Sequence, residues 1–265
     1  KVIYDVHEDF PLKMVAKSYL PFGLGKLARR AILGLESLGS SRFAAVICAT
    51  EHIAERFKSY NPNTHVIFNY PIVREFKFDE SVKWEEKARD AIYVGARITQ
   101  DRGLYKMVRA IGETDGKLSL IGKITDSDLE KVQTEKGWES TEYFGYQPRT
   151  DVVDKTFAAY CGLVILNPVT GYLESMPIKL FEYMASGIPV IASNFPLWKT
   201  IVEDADCGVV VDPQSHEDLV EALETMFKNP SRCKEMGISG RKAVLEKYSW
   251  ESEEKKLTAI YKDLF

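Results

Sequence analysis

ESMPIKLFEYMASGIPV, residues Glu174 to Val190, is a helix written between two strands. The apolar run Gly162–Leu166 before it reads as a buried strand, and Ile188–Ala192 reads as the next one. Pro177 suits the first helical position, where a missing N–H costs nothing. Gly187 suits the stop, and Pro189 prevents continuation. A loop, Asn167 to Met176, joins strand to helix, so the helix N-terminus faces the mouth at the strand's carboxyl end. Such a tip attracts anions. Its first N–H groups, around Met176, Pro177 and Ile178, have no partner within the helix, and the helix dipole places roughly half a positive charge there.

Two carboxylates stand at this place, Glu174 just before the helix and Glu182 on it. At about 100° per residue, Ile178, Leu180, Phe181, Met184 and Ala185 form one apolar stripe, and Glu182 falls about 40° beyond its edge. A carboxylate half-buried in this way needs partners, and a pair of sugar hydroxyls would serve. The alternative is plainer: Glu174 complements the helix dipole and Glu182 is a rim residue.

E-x7-E set within this whole string resembles the signature of the retaining GT-B glycosyltransferases, family 4 (group 1). The resemblance covers most of the chain. It implies that Glu174 lies near the donor sugar and that Glu182 holds the ribose hydroxyls. It also implies a GT-B-like α/β fold, in which one Rossmann-like nucleotide domain follows an N-terminal Rossmann-like domain.

Composition is that of an ordinary globular protein, and a formal charge of −4 over 265 residues argues against a general nucleic-acid binder. Cys48, Cys161, Cys207 and Cys233 are far apart with no C-x-x-C pair. They read as reduced thiols in a cytoplasmic protein without a zinc site. No apolar run approaches the length of a membrane span. The chain opens at Lys1 directly on a strand-like run, Val2–Val6. A domain rarely begins on a buried strand, so the leading part of the first domain is expected to lie outside this sequence.

Residues 1–71 read as the remainder of an acceptor domain, with strands at Val2–Val6, Ala44–Ala49 and His65–Asn69. Alternating strands and helices imply a parallel sheet. His7 follows the first strand, where α/β sheets bind ligands. It is either a polar loop residue or, by resemblance, a group facing the donor sugar; Asp9 reads as a helix cap. Between Leu12 and Arg42 six basic residues, Lys13, Lys17, Lys26, Arg29, Arg30 and Arg42, face a single acid, Glu36, and interleave with apolar side chains. Such a helix either lies on an anionic membrane surface or presents a solvated face. Residues 72–90 read as a hinge.

Residues 91–248 read as the nucleotide-sugar domain. The strand Ala91–Gly95 runs into Arg97 and Arg102 within GARITQDRGL. Gly95 permits close backbone approach. Two guanidiniums at a sheet mouth suit a diphosphate, although two surface arginines would read the same way. The family motif G-x-R-x-x-x-x-K-G matches here except that Arg102 stands at the Lys position. Gly122 and Ile124, in the turn after the strand Lys117–Ile121, border the nucleotide base by resemblance. Asp126-Ser127-Asp128 matches a D-x-D metal motif but opens a helix, and capping explains it better. Residues 249–265 read as a tail helix with an apolar stripe of Trp250, Leu257, Ile260, Tyr261 and Leu264. By resemblance it crosses back to the first domain.

The resemblance implies a retaining, metal-independent hexosyltransferase with no cofactor. It would move sugar from a nucleotide-diphosphate donor to a glycan or lipid-linked acceptor in cell-surface polysaccharide synthesis. The alternatives are a nucleotide-sugar epimerase of the same fold and a non-catalytic nucleotide-sugar-binding fragment.

Overall fold

The computed structural model of the chain describes residues 1–12, 24–169 and 171–264. Lys13 to Gly23, including Lys13, Lys17 and the expected interruption at Pro21-Phe22-Gly23, lie outside the described residues. The chain forms two compact units. The first takes residues 1–70, 169–176 and 250–265, and the second takes 71–168 and 177–249.

The second unit is built on six parallel strands: β4 (Asp90–Arg97), β5 (Lys117–Lys123), β6 (Thr141–Gly145), β7 (Cys161–Val164), β8 (Val190–Ser193) and β9 (Gly208–Val211). Their order is β6-β5-β4-β7-β8-β9. The central strands are continuous apolar runs because helices cover both faces; every residue of β7 and β8 is buried. The connecting helices include α3 (Leu104–Ile111), α4 (Asp126–Val132), α5 (Arg149–Ala158) and α6 (Ile178–Ala185). They continue with α7 (Pro196–Asp204), α8 (His216–Lys228) and α9 (Pro230–Lys247).

Several local expectations are refined. Pro177 is the N-cap of α6, one residue before its first turn. Ile178 is 43% exposed, while Leu180, Phe181, Tyr183, Met184 and Ala185 are buried. The buried stripe therefore includes Tyr183 and excludes Ile178, the first residue of the helix. α7 was not read from the sequence, although Pro196 stands in its first turn and Trp198 packs in the core. Residues 72–90 group with the second unit, where Val73, Phe76 and Trp84 are buried. The D-x-D segment is the first turn of α4, and Thr125 is the N-cap: its Oγ1 accepts the Asp128 N–H at 3.2 Å, and the Asp128 carboxylate accepts from Thr125 Oγ1 at 2.9 Å and from the Tyr105 hydroxyl at 3.0 Å.

The first unit holds β1 (Ile3–Val6), α1 (Leu24–Ser40), β2 (Ala45–Cys48), α2 (Glu51–Lys58) and β3 (Thr64–Val66), with strands parallel in the order β1-β2-β3. Its tail helix is α10 (Trp250–Leu264). α2 covers one face of the sheet, packing Ile53, Ala54 and Phe57 on Val6, Val46 and Cys48. α10 packs Ile260, with Trp250, Leu257 and Leu264 beside it, on Ala45, Ile47 and Ile67. The Glu253 carboxylate accepts the Phe68 N–H at 3.0 Å, which ties α10 to the end of the sheet. Among the described residues no helix is long and apolar enough to cross a membrane.

Candidate active site

The six-stranded sheet places the site by its connectivity. From β4 the chain moves through β5 to β6 at one edge, then returns to β7 beside β4 and continues to β9 at the other edge. At such a reversal the connections leave in opposite directions and open a crevice at the carboxyl ends of the two strands. The loops after β4 and β7 meet there. Asn167 donates its N–H to Asp101 O at 2.8 Å and its side-chain amide to Gln100 O at 3.3 Å. Lys106 Nζ donates to Asn167 Oδ1 at 2.8 Å and also to the Pro213 carbonyl. Ser193 Oγ accepts from Leu166 N and donates to Leu166 O, each at 2.9 Å.

α6 is fixed over this crevice. The Tyr183 hydroxyl accepts the Val94 N–H at 2.9 Å. The Tyr183 ring lies so close to Gly162 that a Cβ there would stand 2.2 Å from it. The first turn of α6 thereby comes to the end of β4. Lys179, on that turn, sends its Nζ to 3.4 Å from the centroid of the Tyr93 ring. A Cβ on Gly95 would lie 3.1 Å from the same nitrogen. The side chain is half-buried, but Nζ itself is buried and has no hydrogen-bond partner. Burial pushes its pKa well below the usual lysine value, and the positive charge of Arg102 pushes it the same way against the pull of Glu182. Gly95, Arg102, Lys179 and the tip of α6 thus form one electropositive cluster.

Arg97 ends β4 and is exposed; Arg102 closes a 3-10 turn, Gln100–Arg102, and is half-buried. Gly122 is buried with φ +141°, and a Cβ there would sit 1.7 Å from the Gly95 carbonyl oxygen. Ile124 is buried and its N–H donates to the Tyr143 hydroxyl at 3.1 Å. The Glu182 side chain is 15% exposed and accepts from Arg149 Nη1 at 2.7 Å. His7, Glu174 and Met176 belong to the first unit. Glu174 is exposed. His7 is exposed too, with its Nε2 3.0 Å from Asp5 and its Nδ1 accepting from Asn69 Nδ2 at 3.2 Å.

Sequence reasoning passed over Lys179 and Arg149. A signal for Lys179 was present: a cation on the first turn of a helix opposes the dipole, so it calls for a separate reason. Nothing in the sequence pairs Arg149 with Glu182, 33 positions apart.

A doubly wound sheet whose strand order reverses beside its first strand defines a class of α/β protein that binds ligands at that reversal. The chain belongs to the glycosyl transferases group 1 family, whose model matches residues 74–243. It is similar to the MMP alpha-(1->4)-mannosyltransferase of Mycolicibacterium hassiacum, 25% identical over 160 residues, which cover 60% of this chain and 38% of that enzyme. It is 23% identical over 252 residues to the uncharacterized glycosyltransferase MJ1607 of Methanocaldococcus jannaschii, covering 88% of this chain and 63% of the relative. The fold is GT-B-like. It superposes on the crystal structure of Anabaena HepE in complex with UDP with a TM-score of 0.74 at 14% identity, covering 98% of this chain and 72% of the other.

Proposed function

We propose that this chain carries the donor site of a retaining, metal-independent glycosyltransferase of family 4 that takes a hexose from a nucleotide-diphosphate sugar. What carries the reading is the cluster of Gly95, Arg102, Lys179 and the α6 tip at the sheet reversal. Family membership supports transfer over epimerisation, and the similar fold of HepE was solved holding UDP. Negative charge grows on the departing diphosphate as the bond from the anomeric carbon to the phosphate oxygen breaks. Arg97, Arg102 and the free N–H groups of the α6 tip meet that charge, which is transition-state electrostatics. Glu182 anchors the ribose, and Gly122 and Ile124 border the base. Glu174 fixes the donor sugar, and His7 faces it. The acceptor oxygen bonds to the anomeric carbon, and its proton passes to the departing phosphate oxygen, so no separate base is required.

The acceptor is a glycan or a lipid-linked glycan in cell-surface polysaccharide synthesis. The enzyme works in the cytoplasm at the inner face of the membrane, and α1 supplies the contact with anionic lipid. Residues 1–71 contribute the acceptor side, residues 72–90 serve as the hinge and residues 249–265 as the helix that returns to the first domain.

A thermal-shift panel of nucleotide sugars identifies the donor, since the ligand that binds raises the melting temperature by mass action. Titration of the matching nucleotide diphosphate into Arg97→Ala then tests the site. Loss of one charge-assisted contact, about 1.5–3 kcal/mol, weakens binding roughly tenfold or more; unchanged affinity would remove Arg97 from the mechanism.

A further inference from the structure

Lys179 has no structural reason to be a lysine. Among the described residues its Nζ donates to no carboxylate and no carbonyl. The Tyr93 ring face and the bare Cα of Gly95 are what it meets. A ring face offsets only a small part of what an ammonium loses on leaving water. A methionine would fill much the same space without that cost. The position on the first turn of α6 adds the opposing field of the helix dipole.

One event makes all three features favourable together: the arrival of an anion between the tip of α6 and the turn that carries Arg102. We propose that Lys179 Nζ is a ligand of the donor's diphosphate, joining Arg102 and the α6 tip, and that it acquires its proton as the anion binds. This deepens the nucleotide-site reading and rests on it.

The charged groups that face the amine are Arg102, from the turn after β4, and Glu182, on its own helix. The phenol of Tyr93 belongs to the ring beneath it, and the Tyr183 hydroxyl is occupied by the Val94 N–H. Before binding, burial and Arg102 favour the neutral amine, and Glu182 is engaged by Arg149. The diphosphate reverses that balance. The proton comes from solvent and forms an N–H bond on the Nζ lone pair, no heavy-atom bond changes, and the amine moves from an idle contact to a charge-assisted one.

Calorimetric titration of UDP and of GDP, run in Hepes and in Tris near neutral pH, reads both Kd and protons exchanged. The wild-type chain takes up protons with the nucleotide that it binds, because the anion raises an amine pKa that burial and Arg102 lower. Lys179→Met binds at least about tenfold more weakly with uptake near zero, and melts no lower than wild type. Lys179→Gln is the second variant, so that a folding defect in one is not read as a lost contact. Wild-type affinity or wild-type proton uptake in these variants overturns the proposal. If Arg97→Ala loses affinity while Lys179→Met does not, the nucleotide site stands and the role of Lys179 falls. Binding of neither nucleotide by the wild-type chain overturns both.

Discussion

Arg149 Nη1 donates to Glu182 Oε1 at 2.7 Å, so the carboxylate assigned to the ribose is already held by a guanidinium. Arg149 opens α5, lies 4.8 Å over the Phe76 ring and reaches Glu75 Oε2 at 3.4 Å. Segment 72–90, read from sequence as a hinge, therefore helps to hold the guanidinium that engages Glu182. With Arg149 47% exposed, the pair is worth about 1 kcal/mol or less. Arg149→Ala is expected to weaken nucleotide-diphosphate binding up to roughly fivefold, and Arg149→Lys to recover part of that. Titration calorimetry decides it, and an unchanged Kd would mean that α6 alone holds Glu182.

Tyr183→Phe removes the acceptor for the Val94 N–H at the end of β4. A backbone donor left without a partner costs about 2 kcal/mol, which lowers the melting temperature by roughly 4–8 °C in a unit of this size. Nucleotide affinity should fall as well, because the same bond sets the height of the α6 tip over Gly95. Circular dichroism melts with and without ligand separate the two effects. A melt identical to wild type would show that another group, or water, satisfies Val94.

Two glycines with positive φ are expected to respond very differently to alanine. Gly122 has φ +141°, and an added Cβ would meet the Gly95 carbonyl at 1.7 Å. The backbone of β4 and β5 must part to make room, so Gly122→Ala should cost more than about 4 kcal/mol. Gly145 has φ +65° with nothing within 4 Å of an added Cβ. There only the left-handed conformation is penalised, at about 1–2 kcal/mol. Urea unfolding of the two variants measures the difference. Equal midpoints would show that β4 and β5 separate more easily than their packing implies.

β2, β7 and β8 were legible because each is a short apolar run between helical patterns, and burial on both faces is what writes such runs. The bounds of α6 were legible for a similar reason, since Pro177 and Gly187 carry backbone meaning in their own positions, whereas β4 runs two residues past Gly95, where its end was read, to Arg97. Arg149 and Lys179 were not, because their roles depend on partners brought close only by the sheet order. Tyr183 illustrates the same limit. Helical periodicity left Tyr183 outside the apolar stripe, and it does not show that the hydroxyl will meet the Val94 N–H in another strand. Ile178 failed in the opposite sense, since periodicity placed it in the stripe and the fold leaves it 43% exposed.

α1 presents Leu24, Leu27, Leu35 and Leu38 at exposures of 48%, 63%, 70% and 58% along one side. Lys26, Arg29 and Arg30 are also exposed, but on the rest of the helix circumference, about 100–160° from the middle of the leucine face. The one acid of the helix, Glu36, is buried, with Oε2 3.2 Å from Arg56 Nε. The helix therefore exposes an apolar face and, around the rest of its circumference, basic residues with no exposed carboxylate of its own, a combination that an anionic lipid surface attracts. Flotation with vesicles of phosphatidylcholine and phosphatidylglycerol should carry the chain upward, neutral phosphatidylcholine vesicles should not, and raised salt should release it. Leu27→Glu combined with Leu35→Glu should abolish flotation and leave the melting temperature within about 2 °C, since exposed positions away from packed contacts contribute little to stability. If wild type stays in the lower fraction with anionic vesicles, the leucine face is a surface for protein, and sedimentation equilibrium of wild type against the double variant would then show a self-association that the glutamates remove.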